Sequence, residues 1–110
     1  MVEIRSLEQF NAALKENIAV LAFFSSNMCN VCTVLKPKVC ELILNSYPQI
    51  MMLHVNMEEV PNIHGQYRIF TAPTIIIFFE GSMAFMKSRS INLKELDLHI
   101  ERPYKLLFDK

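Results

Sequence analysis

Two cysteines separated by two residues, Cys29 and Cys32, stand in the stretch FFSSNMCNVCTVLKPKV that runs from Phe23 to Val39. A pair at this spacing can be half of a zinc site, a small structural staple, or a dithiol that makes and breaks a disulfide as its work. Zinc needs two further ligands. The remaining candidates, Cys40, His54, His64 and His99, include no second pair with finger-like spacing, so no metal is expected. Cys40 follows Cys32 on what reads as one helix, roughly 12 Å away and beyond disulfide reach. It is expected to be a buried small hydrophobe. His64 and His99 are expected at the surface. Three cysteines are too few and too unevenly spaced for a secreted disulfide framework, which favours a reducing compartment and a working role for the close pair.

The elements that must position the pair come from composition and periodicity. A chain of 110 residues is one domain's worth and can bury a core without staples, so a single domain over residues 1–110 is expected. Its 52% hydrophobic content, with eight Phe, seven Met and only two Gly, argues for a folded rather than a disordered chain. Eleven basic residues balance eleven acidic ones, so no electrostatic pull toward nucleic acid or anionic lipid is expected. The N-terminal MVEIRSLEQF lacks a basic segment followed by an apolar run, so no signal peptide is expected. The apolar runs from Ile18 to Phe24 and from Ile75 to Phe79 are too short to cross a bilayer.

Along the chain, Val2 to Arg5 reads as a short strand. Ser6 and Gln9 have capping-box spacing before a helix whose stripe is Leu7, Phe10 and Leu14, ending near Asn17. Ile18 to Ser25 is apolar nearly throughout and suits a central strand covered on both faces. From Cys29 to Ser46, Leu35, Val39, Leu42 and Ile43 fall on one helical face, with a kink expected at Pro37. Ile50 to Asn56 reads as a strand, Val60 to Ile69 as a short helix or irregular crossover, and Thr74 to Phe79 as a second buried strand. Glu80-Gly81-Ser82 should turn the chain into a hairpin partner, Met83 to Lys87. Asn92, with Glu95 in the capping-box position, starts a last helix that Pro103 is expected to end, leaving Tyr104 to Phe108 as an apolar tail. This order implies an α/β layer structure, a mixed sheet with helices on both faces.

In that arrangement the cysteines lie where a strand's end meets a helix's N-terminus. The helix dipole and free N–H groups there favour a thiolate. Cys29, at the helix start, is expected to be the exposed sulfur, and Cys32 to lie about one turn further in. Cys29 would attack and Cys32 resolve.

The chain resembles the thioredoxin family over nearly its whole length. The resemblance rests on the capped first helix, the AVLAFFSS strand, the C-x-x-C pair, Pro37 downstream, the APT segment at Ala72 to Thr74, and Gly81 in the hairpin turn. It implies a thioredoxin fold and reduction of protein disulfides by dithiol exchange, with no metal or organic cofactor and with electrons from a separate thiol reductase. It also implies a cis proline at Pro73 facing the cysteine pair, a conformation that X-Pro bonds tolerate at modest cost. Aligned on the family, Met28, Met57, Thr71, Ala72, Pro73 and Arg89 ring the cysteines as a substrate-binding rim. A cytoplasmic monomer acting on protein substrates, with no nucleic acid or membrane partner, is expected. A glutaredoxin fits worse, because FFEGS stands where that family has a Gly-Gly-Asp segment.

The departures define what is particular here. Met28-Cys29-Asn30-Val31-Cys32 replaces the family's Trp-Cys-Gly-Pro-Cys, so the start of the helix is less rigid and the redox balance can move either way. Phe23 stands where the family buries an aspartate beneath the resolving cysteine, and His54 where that aspartate has a lysine neighbour. Arg89 replaces the rim glycine. Histidine titrates near neutrality, which makes His54 the candidate proton relay in place of the lost acid. Two other readings stay open: a net oxidant or isomerase, and a thioredoxin-fold interaction module whose thiols are incidental.

Overall fold

A computed structural model describes residues 1–108. The elements are β1 (Val2–Glu3), α1 (Leu7–Glu16), β2 (Ala19–Ser25), α2 (Asn30–Ser46), β3 (Met51–Asn56), α3 (Pro61–Gln66), β4 (Thr74–Phe79), β5 (Ser82–Ser88) and α4 (Leu93–Phe108). The strands form one mixed sheet in the order β1-β3-β2-β4-β5. β3 runs parallel to both β1 and β2, and β4 antiparallel to β2 and β5. This is the α/β thioredoxin fold expected from the sequence.

Strict alternation along the central strands sends two sets of side chains to opposite faces. Ala19, Leu21 and Phe23 join Ile75, Ile77 and the α2 and α4 residues Leu35, Val39, Ile43, Leu96 and Ile100 in one core. Val20, Ala22 and Phe24 join Ile76, Phe78, Phe10 of α1 and Ile63 of α3 in the other. All seven residues of β2 are buried, as a strand covered on both faces requires.

Local signals set most boundaries. Ser6 Oγ accepts from the Gln9 N–H at 3.1 Å and caps α1. The Gln9 amide reaches back one residue further than a standard capping box, its Oε1 accepting from the Arg5 N–H at 2.7 Å. Asn92 Oδ1 accepts from the Lys94 and Glu95 N–H groups at the start of α4. Glu95 faces Lys87 at 3.7 Å rather than returning to Asn92. The hairpin turn is tighter than expected: Glu80 and Gly81, with φ of 53° and 80°, form a two-residue loop, and Ser82 already belongs to β5. Two positive φ values in succession match the twist of the flanking strands.

Two helices run through prolines. α2 is continuous through Pro37, and α4 continues through Pro103 to Phe108, so Pro103 does not end it. The proline withholds the N–H that the carbonyl of His99 would otherwise accept. His99 is exposed, where water can serve instead. Packing holds the last turns in place. Tyr104 is buried against Tyr47 with ring centroids 4.9 Å apart, stacks on Phe108 at 4.7 Å, and its hydroxyl accepts from the Gln49 N–H at 3.2 Å. The expected apolar tail is therefore the end of α4, fastened to the α2–β3 connection.

Candidate active site

Cys29 is the N-cap of α2. In that place its Sγ accepts from the Cys32 N–H at 3.2 Å, doing what a serine or aspartate oxygen does at other helix starts. The two cysteines form a disulfide with their Cα atoms 5.3 Å apart. Cys29 is half-buried, whereas Cys32 is 5% exposed. One cysteine of the pair is thus reachable from solvent and the other is enclosed.

The loop leading into α2 is clamped from β3. The Glu58 carboxylate accepts from the Asn27 backbone and side-chain amides at 2.9 Å each, and the Asn56 amide donates to Asn27 Oδ1 at 2.8 Å. The Met57 N–H donates to the Ser25 carbonyl at 2.8 Å. These contacts join residues about thirty positions apart, and no motif in the sequence marks them.

A cavity of about 320 Å³ adjoins the disulfide, lined by Cys29 at the start of α2, by Cys32, Thr33, Lys36 and Pro37 of α2, by Ser25, Ser26 and Asn27 at the end of β2, and by His54. The position that the family fills with an acid holds Phe23, fully buried, its ring 6.3 Å from that of His54. Phe23 and Glu3 are the strand partners of His54 on either side. His54 is engaged at both ring nitrogens, Nδ1 with the Glu3 carboxylate at 2.7 Å and Nε2 with Ser25 Oγ at 2.6 Å. Glu3 and Ser25 had no signal in the sequence, because only strand register brings them to His54.

The other expected site residues are placed unevenly. The Ala72–Pro73 bond is cis. Thr74 Oγ1 donates to the Thr71 carbonyl at 2.7 Å, and the Arg89 N–H donates to the Pro73 carbonyl at 2.9 Å. Ala72 and Cys29 pack on the same core cluster. Arg89 is exposed and Met28 is 89% exposed. Met57 departs from the rim pattern, since its side chain packs on the opposite core. Cys40 is half-buried rather than buried, a free thiol at the edge of the α2 core. His64 is half-buried and bonded through Nδ1 to the Ile69 carbonyl, and only His99 is a surface histidine, its ring 4.3 Å from Phe85. Among the described residues, no group of three or more His, Cys, Asp or Glu side chains is placed to hold a metal ion, and no helix is long and apolar enough to cross a membrane.

The Thioredoxin family model matches residues 1–102. A thioredoxin-like protein of Bacillus subtilis, YdfQ, is 24% identical over 96% of this chain and 94% of its own length. A thioredoxin of Chlamydia trachomatis is 30% identical over 88% of this chain and 90% of its own. Among solved structures, oxidized mitochondrial thioredoxin 3 of Saccharomyces cerevisiae covers 92% of this chain and 93% of its own, with a TM-score of 0.83 at 21% identity. With a matching family model, a shared fold and a C-x-x-C pair at disulfide distance, the chain belongs to the thioredoxin family.

Proposed function

We propose that this protein is a thiol–disulfide oxidoreductase that reduces protein disulfides through Cys29 and Cys32. The observation that carries this reading is the division of the pair: a half-buried cysteine at a helix N-terminus, disulfide-bonded to one that is buried. In the reduced protein, the Cys32 N–H and the N-terminal end of α2 stabilise a thiolate on Cys29. That thiolate attacks one sulfur of the substrate disulfide, a mixed disulfide forms, and the other substrate sulfur leaves. Cys32 then attacks Cys29 Sγ, the substrate's second sulfur leaves as a thiol, and the Cys29–Cys32 disulfide is closed. Two electrons pass from the enzyme dithiol to the substrate, and a separate thiol reductase restores them.

The rim assigned to substrate is Met28, Thr71, Ala72, Pro73 and Arg89, with Met57 contributing its backbone neighbourhood rather than an exposed side chain. Exposed methionine adapts to varied apolar partners, so a broad range of peptide sequences is accepted. The low cysteine count supports a reducing, cytoplasmic setting. Thiol exchange requires no metal or organic cofactor, and a monomer suffices for it.

The test is trapping. Cys32→Ser leaves the attacking thiolate without its resolving partner and should accumulate mixed disulfides with cell proteins, whereas Cys29→Ser should not. Equal trapping by both variants, or by neither, would instead support a fold used only for binding.

A further inference from the structure

The resolving step makes a demand that the family's usual acid does not meet here. Cys32 must lose its proton before it can attack, and burial holds a thiol in its neutral form. Phe23, which shares the core cluster of Cys32, exchanges no proton. We infer that Ser25, His54 and Glu3 form a proton relay that serves Cys32, with Ser25 as the member facing the thiol. This rests on the dithiol mechanism proposed above and assigns its missing base.

The row crosses three strands. Glu3 lies on β1, His54 beside it on β3, and Ser25 at the end of β2, next to the cavity that Cys32 also lines. Its hydrogen bonds determine the tautomer. A carboxylate only accepts, so Nδ1 carries the hydrogen that points to Glu3. In the neutral ring Nε2 is then a bare acceptor and must take the Ser25 hydroxyl hydrogen. The Ser25 oxygen keeps lone pairs with which to accept a proton, and Cys32 lines the same cavity. The chain of donors runs in one direction, and it ends at a carboxylate 37% exposed to water, while the imidazole is 13% exposed.

The other charged and titratable groups around this row do not compete for the proton. Lys36 of α2 lines the same cavity, but an ammonium only donates and cannot accept. Glu58 is held by Asn27 at the loop. Cys29 is joined to the substrate at this stage. The step balances as follows. The Cys32 proton passes to Ser25 Oγ as the serine's own proton passes to Nε2. The Cys32 thiolate attacks Cys29 Sγ, and the bond from Cys29 to the substrate sulfur breaks. The substrate departs with the electron pair, and the imidazolium, stabilised by Glu3, returns its proton to that thiolate or to water.

A purely structural role for the row would be to fasten the two-residue strand β1 to β3. The two roles separate in single-turnover kinetics with a nitrothiobenzoate disulfide whose released thiolate is coloured. Release of the first equivalent reports attack by Cys29, and release of the second reports attack by Cys32. In the intact protein the second phase should stay rapid at pH 7, below the ordinary thiol range. Ser25→Ala should slow it about tenfold or more at pH 7, and shift its rise toward the ordinary thiol range, with the first phase unchanged. Ser25→Thr should restore it. Glu3→Gln keeps an acceptor for Nδ1–H at a half-exposed position but removes the charge, and should slow the same phase by a smaller factor. If both phases and their pH profiles are unaltered by Ser25→Ala and Glu3→Gln, even where the melting temperature falls, the row is a fastener and the relay is wrong. If the parent protein itself releases no second equivalent, the dithiol mechanism fails together with the relay.

Discussion

The two faces of the sheet are built from alternate residues of the same strands, yet they are put to different use. The face under α1 and α3 is occupied by hydrocarbon: Phe10 sits among Phe24, Tyr67 and Phe78 with ring centroids 6.2, 5.8 and 6.0 Å away, largely in edge-on contacts. The face under α2 and α4 is apolar only in its middle. At one end it carries the Glu3–His54–Ser25 row and the disulfide, and at the other the Tyr47 hydroxyl donates to the Asp97 carboxylate. One face can be optimised for packing alone. The other must keep polar groups satisfied at its rims, which it does: among the described residues, no buried side-chain N or O lacks a partner.

This contrast can be broken by substitution, and the largest expected effect is on the packing face. Phe10 is fully buried, and Phe10→Ala removes a ring from an aromatic cluster that cannot close the gap, so a loss of about 3–5 kcal/mol is expected in denaturant unfolding. Exchange rates of the remaining folded protein should be unchanged. An altered rate of disulfide exchange would mean that the faces are not independent.

A smaller effect is expected at the polar rim remote from the disulfide. Burial, and after it the hydrogen bond to Asp97, raises the Tyr47 phenol above its ordinary value of 10.0. The folded chain therefore holds this proton more tightly than the unfolded chain. The stability so conferred is complete below pH 10 and is lost progressively as the pH rises above it. Tyr47→Phe should cost about 1 kcal/mol at neutral pH, and should flatten the alkaline decline measured by thermal unfolding between pH 9 and 11. A decline of the same slope in the variant would assign it to other groups.

The smallest effect concerns Arg89, which the proposed function assigns to the substrate rim. Its φ of 69° is a conformation in which a side chain is disfavoured, while its N–H is held by the Pro73 carbonyl. Arg89→Gly should stabilise the fold by about 0.5–1 kcal/mol, and at the same time weaken the preference for acidic over basic residues beside the substrate disulfide. Stability and selectivity would then oppose each other at one position, as the two faces do across the sheet. Unchanged relative rates on acidic and basic peptides would remove the arginine from substrate selection.

Much of this was legible in the residues. The unbroken apolar run of β2, the Ser6 cap, the spacing of Cys29 and Cys32 and the Pro73-Thr74 start of β4 are local signals, and each rests on chemistry within a few residues. Where local rules failed, longer-range packing overrode them. Pro103 reads as a helix stop until the stack of Tyr47, Tyr104 and Phe108 holds the next turn in place. Cys40 reads as buried from its helical neighbours, but only the position of α2 on the sheet sets its half-exposure.

The sequence by itself determined which residues can do redox chemistry and the α/β order that puts them at a helix N-terminus, because hydrophobic period, capping and the C-x-x-C spacing act over a few residues. The tertiary structure alone decided what surrounds them. Glu3 is separated from His54 by 51 positions and Ser25 by 29, and nothing in their local sequence distinguishes them from any other strand-end polar residues. They meet because β1, β3 and β2 pair in one register, in which a shift of a single residue would turn His54 to the opposite, aromatic face.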